Sequence, residues 1–376
     1  MFTEVFAKGD LPRFGRILVQ VHPFHVGKMV LDGVAPGSLT LEQSFYQQGV
    51  AYDDSLRRFI ADCLHQSDCP LTGTVANGIA RIQKFLNDLD AKPIPAGPGR
   101  VLAEGLATPG IYYALYSGRD GWPGLRSSLT SAFAGDGSGL IGNVDAVYGR
   151  QPDGTYVGNL FPAFYAITCT DTPELGGPPH IAALAREWKK TAPVFGESDA
   201  WSLLPCWHWA PVGTSKPALP VFHATGSAPI LLVATTHDPA TPYAGGVEVS
   251  KELDNATLLA YDSDGHTAYR RGSTCIDTAV DAYLIQGTAP PHGTRCSPDS
   301  LTATPHAPRA DPAPTTPGLH EMPLSLASAS SIRHSARPGG AVGRGRRGST
   351  LRTISAQVRG AQREEPSCRP SSGTTM

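Results

Sequence analysis

The chain has 376 residues, enough for one large domain or two smaller ones, with an ordinary 40% of hydrophobic residues and a formal net charge of −2. A balance so near neutral argues neither for nor against a charged partner, and without a run of about 18 apolar residues no helix is expected to span a membrane. The charge is unevenly placed: from Ser297 onward there are ten arginines, five acids and no lysine, which leaves about −7 on the body.

The opening MFTEVFAKGD has an acid and a lysine where a signal peptide would carry its apolar stretch, so this chain shows no export signal. The first 20 residues are weakly patterned. Lys28 to Gly33 is a short apolar run ended by Asp-Gly and predicts a buried strand followed by a turn. From Leu41 to Trp209 the pattern is mainly helical. Ser44 to Leu64, with Arg57 and Arg58 on its polar side, and Val75 to Leu89 are the clearest helices, and Gly and Pro interrupt at Pro93 to Gly99 and at Gly176 to Pro179.

The pattern changes at Ala228. Pro229 to Ala234 is a continuous apolar run, read as a strand buried on both faces, as in a parallel sheet covered by helices. A helix over Ala244 to Leu253, a strand over Thr257 to Tyr261 and a closing helix over Cys275 to Leu284 follow. The closing helix has Ile276, Ala279, Val280 and Tyr283 on one face. Strand, helix, strand, helix is the α/β pattern, with chemistry expected at the C-terminal ends of the strands. From Ser297 to Met376 the chain is rich in Ser, Pro, Thr, Gly and Arg without periodicity and is read as a disordered tail. Its Gly343 to Gly348 patch has the look of a nucleic-acid contact, but the composition favours a solvated segment and no nucleic-acid partner is expected.

Six of the seven cysteines lie in the body: Cys63, Cys69, Cys169, Cys206, Cys275 and Cys296. An even count suggests disulfides and an oxidising compartment, with buried free thiols as the alternative. None has the spacing of a zinc site, and no motif calls for a metal or an organic cofactor. Cys368 is left over in the tail.

Asp238 ends the first C-terminal strand and His266 follows the second. A strand, helix and strand between them would bring the two loops out side by side. A carboxylate that fixes the tautomer of a histidine base is the arrangement used in acyl transfer. Each residue alone also fits a plain turn, and Asp262 and Asp264 are read as turn residues beside the base. His237 is read as a loop residue.

Several segments together carry a resemblance. They are Pro229-Ile-Leu-Leu-Val-Ala-Thr-Thr-His-Asp-Pro-Ala-Thr-Pro-Tyr243, Asp264-Gly-His-Thr-Ala-Tyr269, Cys275-Ile-Asp, Ala282-Tyr-Leu and Gly287-Thr-Ala-Pro-Pro. Upstream, His25-Val-Gly-Lys-Met-Val-Leu-Asp-Gly33, Asp62 to Pro70 and Trp201 to Trp209 extend it. The chain resembles the tripeptidyl aminopeptidase-like α/β-hydrolases over about residues 22 to 296. The resemblance implies an α/β fold made of the C-terminal parallel strands of a hydrolase, incomplete at its front. A helical lid would be inserted into it. Residues 1–34 would be a core remnant, 35–220 the lid, 221–296 the core segment bearing acid and base, and 297–376 the tail. It further implies Asp238 as triad acid and His266 as triad base, and disulfides Cys63–Cys69, Cys169–Cys206 and Cys275–Cys296. It also implies secretion and a peptide or ester substrate.

The nucleophile departs from the family pattern. The G-x-S-x-G turn would fall near residues 7 to 11, where the sequence is Ala-Lys-Gly-Asp-Leu. Ser198 in Gly196-Glu-Ser-Asp-Ala200 is a weak candidate, and Ser138 is read as a flexible-loop residue. The expectation is a truncated, poorly active hydrolase or a non-catalytic binding module. Its sheet would have an unpaired edge at the Val30 strand.

Overall fold

The computed structural model describes residues 2–8, 26–170, 172, 175–209 and 223–299, with backbone only at 2–8 and 26. The stretch from residue 300 to 376, including Cys368 and the Gly343 to Gly348 patch, lies outside the described residues.

Among the described residues, five parallel strands form the main sheet: β1 (Phe2–Lys8), β2 (Val26–Asp32), β5 (Ile230–His237), β6 (Ala256–Asp264) and β7 (Arg295–Cys296), in spatial order β1-β2-β5-β6-β7. The architecture is α/β, as the sequence pattern indicated. The side chains of β2 and β5 alternate between two apolar layers. Met29, Leu31, Ile230 and Leu232 pack with Val249 of helix α10 (Tyr243–Glu252) and with Leu253, which caps its C-terminus. Val30, Leu231 and Val233 pack on the other face with Leu259, Ile276, Val280 and Tyr283, the last three from helix α11 (Thr274–Gln286). Strands covered on both faces need apolar residues at successive positions, which is why these runs are continuous.

Two corrections concern the front of the chain. The weakly patterned opening contains β1, whose partners run from Phe2↔Val26 to Lys8↔Asp32. The Val30 strand is therefore flanked by β1 and β5 and is not a sheet edge.

Helices fill residues 41–207: α1 (Leu41–Cys63), α2 (Val75–Ala91), α3 (Glu104–Tyr116), α4 (Trp122–Phe133), α5 (Ser138–Tyr148), α6 (Leu160–Thr170), α7 (Pro178–Thr191), α8 (Gly196–Trp201) and α9 (Leu204–Trp207). A 3₁₀ turn, Gly118–Asp120, joins α3 to α4, and a small hairpin of β3 (Ile94–Pro95) and β4 (Val101–Leu102) precedes α3. The two clearest helices begin at reciprocal side-chain caps, Thr40 with Gln43 and Thr74 with Asn77. Tyr52, Leu56, Phe59, Ile82, Ile111, Trp122, Leu125 and Leu140 form the core of this helical layer. Ser138, expected in a flexible loop, is the first residue of α5.

Three disulfides are present among the described residues. Cys63–Cys69 closes the turn after α1, Cys169–Cys206 joins α6 to α9, and Cys275–Cys296 joins α11 to β7. Ser297 and Asp299, expected in the tail, are tied to the start of α11. The Ser297 carbonyl accepts from the Ser273 hydroxyl at 2.8 Å, and the Asp299 carboxylate accepts from the Thr274 amide.

Candidate active site

The C-terminal ends of β2, β5 and β6 converge on one histidine. Asp238 follows β5 and His266 follows β6, and both are buried. The Nδ1 of His266 lies 3.0 Å from each oxygen of Asp238. A carboxylate only accepts, so Nδ1 carries the proton, and in the neutral ring Nε2 is then the acceptor. Asp238 is itself held by its own turn. Its Oδ1 accepts from the amides of Ala240 and Thr241 at 2.9 Å, and its Oδ2 accepts from the Thr241 hydroxyl at 3.0 Å and the Thr267 amide at 3.2 Å. With so many fixed donors around it, the carboxylate cannot turn away from the ring.

The loop bearing His266 is clamped amide by amide. The Gly265 N–H donates to His237 O, His266 N–H to Tyr116 O, and Thr267 N–H to Asp238. The Ala268 and Tyr269 amides donate to Asp32, the Arg270 amide to Asp277 and the Arg271 amide to Ala268 O. The loop turns sharply, with positive φ at Gly265 (103°), Thr267 (66°) and Arg270 (60°). Glycine takes such angles freely, but a β-branched threonine does not.

The helical layer reaches the same edge. The Tyr116 ring, at the end of α3, lies against the imidazole with centroids 4.6 Å apart. Gly118 must be glycine, because a Cβ there would stand 2.2 Å from the Asp264 carbonyl oxygen. Three residues of α1 touch neighbours of the pair: Gln48 donates to Ala240 O at 2.7 Å, Asp54 meets His237 Nδ1 at 3.2 Å, and Arg58 is paired with Asp264. Arg119 also binds Asp264, at 2.8 Å. The hydrogen bond to Asp264 holds the Arg58 guanidinium above its usual range.

These contacts correct two sequence readings. Asp264 is not a plain turn residue but the last residue of β6, a buried carboxylate between two arginines, and Arg58, on the polar side as read, is half-buried by that pairing. His237, read as a loop residue, is the last residue of β5, and its Nδ1 faces Asp54. Sequence reasoning missed Asp32, which is fully buried, because Asp-Gly after a strand looks like any turn. Of the two serines considered, Ser138 begins α5, and Ser198 lies on α8, which packs on α7 and α1. Neither follows a strand.

A second acidic feature lies inside the helical layer. Asp53 Oδ1 accepts from the amides of Val194 and Phe195 at 3.1 and 3.0 Å, while its Oδ2 is buried without a partner. Asp199 Oδ2 is likewise buried and unpartnered. Burial raises the Asp53 carboxyl to about 6. Burial and the neighbouring Asp53 charge raise Asp199 well above the usual carboxylate range. Among the described residues, no group of three or more His, Cys, Asp or Glu side chains is arranged to hold a metal ion.

The arrangement is an oriented base at the C-terminal edge of a parallel sheet, roofed by helices. Residues 192–296 match the family model described as TAP-like protein. Carboxylesterase B of Mycobacterium tuberculosis is 34% identical over 281 residues, which cover 73% of this chain and 52% of that protein. Serine protease Hip1 of the same species is 30% identical over 294 residues, covering 76% and 56%. Tripeptidyl aminopeptidase of Streptomyces lividans is 29% identical over 183 residues, covering 46% and 30%. The chain thus spans about half the length, or less, of these curated relatives. The parallel sheet, the helical layer over its C-terminal edge and the matched segment agree, and the chain belongs to the TAP-like α/β-hydrolase family.

Proposed function

We propose that this chain carries the acid and base of a serine-type hydrolase acting on peptide or ester bonds, with Asp238 as the acid and His266 as the base. The observation that supports this most strongly is the pairing of His266 Nδ1 with both Asp238 oxygens at 3.0 Å, across loops that follow neighbouring strands. In the reaction, Nε2 takes the proton of an attacking hydroxyl as its oxygen bonds to the carbonyl carbon. It then returns that proton to the leaving amine or alkoxide. Asp238 stays an acceptor throughout and stabilises the imidazolium. The relatives named carboxylesterase, serine protease and tripeptidyl aminopeptidase support acyl transfer as the chemistry and leave ester and peptide both open. Three disulfides support work in an oxidising compartment outside the cytosol, and no described helix is long and apolar enough to cross a membrane.

A second reading, a binding module without turnover, is favoured by one feature. Residues 9–25, which follow β1, contain no serine, threonine or cysteine. A fluorophosphonate probe and a panel of tripeptide arylamides and short aryl esters separate the two readings. Labelling and turnover that both vanish in His266→Ala support the hydrolase and identify the nucleophile by mapping the labelled peptide. Substrate binding with neither labelling nor turnover supports the module.

A further inference from the structure

Thr267 sits beside the imidazole at φ 66°, a left-handed conformation that a β-branched residue keeps only when its surroundings impose it. Its own amide is held by Asp238, and the next two amides are held by Asp32. Asp32 Oδ1 and Oδ2 lie 3.0 and 3.1 Å from the Ala268 nitrogen, and Oδ2 lies 3.0 Å from the Tyr269 nitrogen. The left-handed turn at Thr267 brings these two successive N–H groups to bear on one carboxylate. Asp32 is a rigid anchor. It ends β2, pairs with Val233 in the sheet, and is followed by the Gly33 amide donating to Val233 O at 3.0 Å.

The residue after Asp32 sets the height of the ring. Gly33 has φ 76°, and a Cβ there would stand 2.8 Å from His266 Cε1 and 3.1 Å from Thr267 Cγ2. One dipeptide at the end of β2 therefore supports the imidazole from below and holds the strained loop that carries it.

We propose that Asp32 is a positioning residue for the base: by gripping the Ala268 and Tyr269 amides it keeps Thr267 left-handed, and so keeps His266 Nδ1 on Asp238. This rests on the proposed acid-base role of His266. Asp32 acts through the loop. Released, Thr267 relaxes toward negative φ, the 266–267 peptide rotates, and the Thr267 amide and the imidazole leave Asp238 together.

The test uses the full chain labelled with ¹⁵N-histidine, comparing wild type, Asp32→Asn and the double variant Asp32→Asn/Thr267→Gly. Asparagine keeps the size of Asp32 but removes its charge and replaces one of its two acceptor oxygens with an NH₂ group that faces the Ala268 N–H. The expected result is loss or exchange broadening of the His266 Nδ1 proton in Asp32→Asn, with the other histidine signals unmoved. Glycine at 267 holds positive φ without strain, so the double variant should recover the signal. If the wild type turns over substrate, kcat should fall about 100-fold in Asp32→Asn with KM little changed, as for a misplaced catalytic group. An Nδ1 signal that survives Asp32→Asn, or that is lost and not recovered by Thr267→Gly, overturns the proposal. Should Asp32→Asn fail to fold, amide exchange in the wild type decides. Ala268 and Tyr269 as protected as Thr267 is the expected result, and exchange at the rate of an open loop refutes it. A wild type without turnover sinks the hydrolase reading but leaves the imidazole signal to judge Asp32.

Discussion

Two buried acidic regions of this molecule are built on opposite plans. At the sheet edge, Asp32, Asp238 and Asp264 are surrounded by donors: backbone amides, a hydroxyl, an imidazole and two guanidinium groups. At the crossing of α1 and α8, Asp53 and Asp199 each keep one buried oxygen without a donor. The first plan suits a group that must stay in one place, because each saturated carboxylate fixes the backbone around it. The second suits a neutral acid, because a proton compensates for burial where no donor does. The same residue type therefore fixes geometry in one region and makes the other sensitive to pH.

The largest effect should come from breaking the saturated plan. Asp238→Ala leaves three backbone amides, a hydroxyl and an imidazole facing a void. The expected loss is about 3–5 kcal/mol in urea denaturation of the full chain, the range for removing one partner of a buried pair. A loss below about 1 kcal/mol, the worth of an exposed pair, would mean that water or rotation replaces the carboxylate easily.

Gly33→Ala is the next test, because the new methyl would meet His266 Cε1 at a backbone angle that alanine resists. A loss of about 2 kcal/mol is expected, within the usual range for strain at such a position. A neutral result would show that the ring has room to move.

The smallest effect has the opposite sign and sharpens the contrast. The folded Asp53 binds its proton more tightly than the unfolded chain does, since about 6 lies above the ordinary carboxylate value near 3.9. Its contribution is most favourable below about pH 4 and is lost as pH rises from 4 to 6. Asp53→Asn removes that titration and keeps one oxygen for the Val194 and Phe195 amides. The variant should gain about 1–2 kcal/mol over wild type at pH 7.5, and the gain should fade toward pH 4. Melting curves at both pH values check it, and a gain that does not vary with pH would assign the effect to something other than the buried charge.

Much of this was legible in the chain. Pro229 to Ala234 reads as a buried parallel strand because both of its faces are covered, and Asp238 and His266 stand out because each ends such a strand. β1 was not legible. Phe2 to Lys8 mixes Thr, Glu and Lys into its apolar positions, so no continuous run marks it. Asp32 and Asp264 were misread for another reason. A carboxylate in a turn looks solvated until the fold supplies its partners, and those partners lie 236 residues away for Ala268 and 206 for Arg58. Asp53 was hidden in the same way, since the amides it caps lie more than 140 positions downstream.

The central claim is that Asp238 fixes His266 as a base with its proton on Nδ1. The ¹⁵N spectrum of the histidine-labelled full chain near pH 8 tests it most directly, because the two ring nitrogens report which of them is protonated. The account predicts a protonated Nδ1 and a bare Nε2 for His266, with that preference lost in Asp238→Asn. A wild-type ring protonated on Nε2, or a tautomer unchanged by Asp238→Asn, would contradict it.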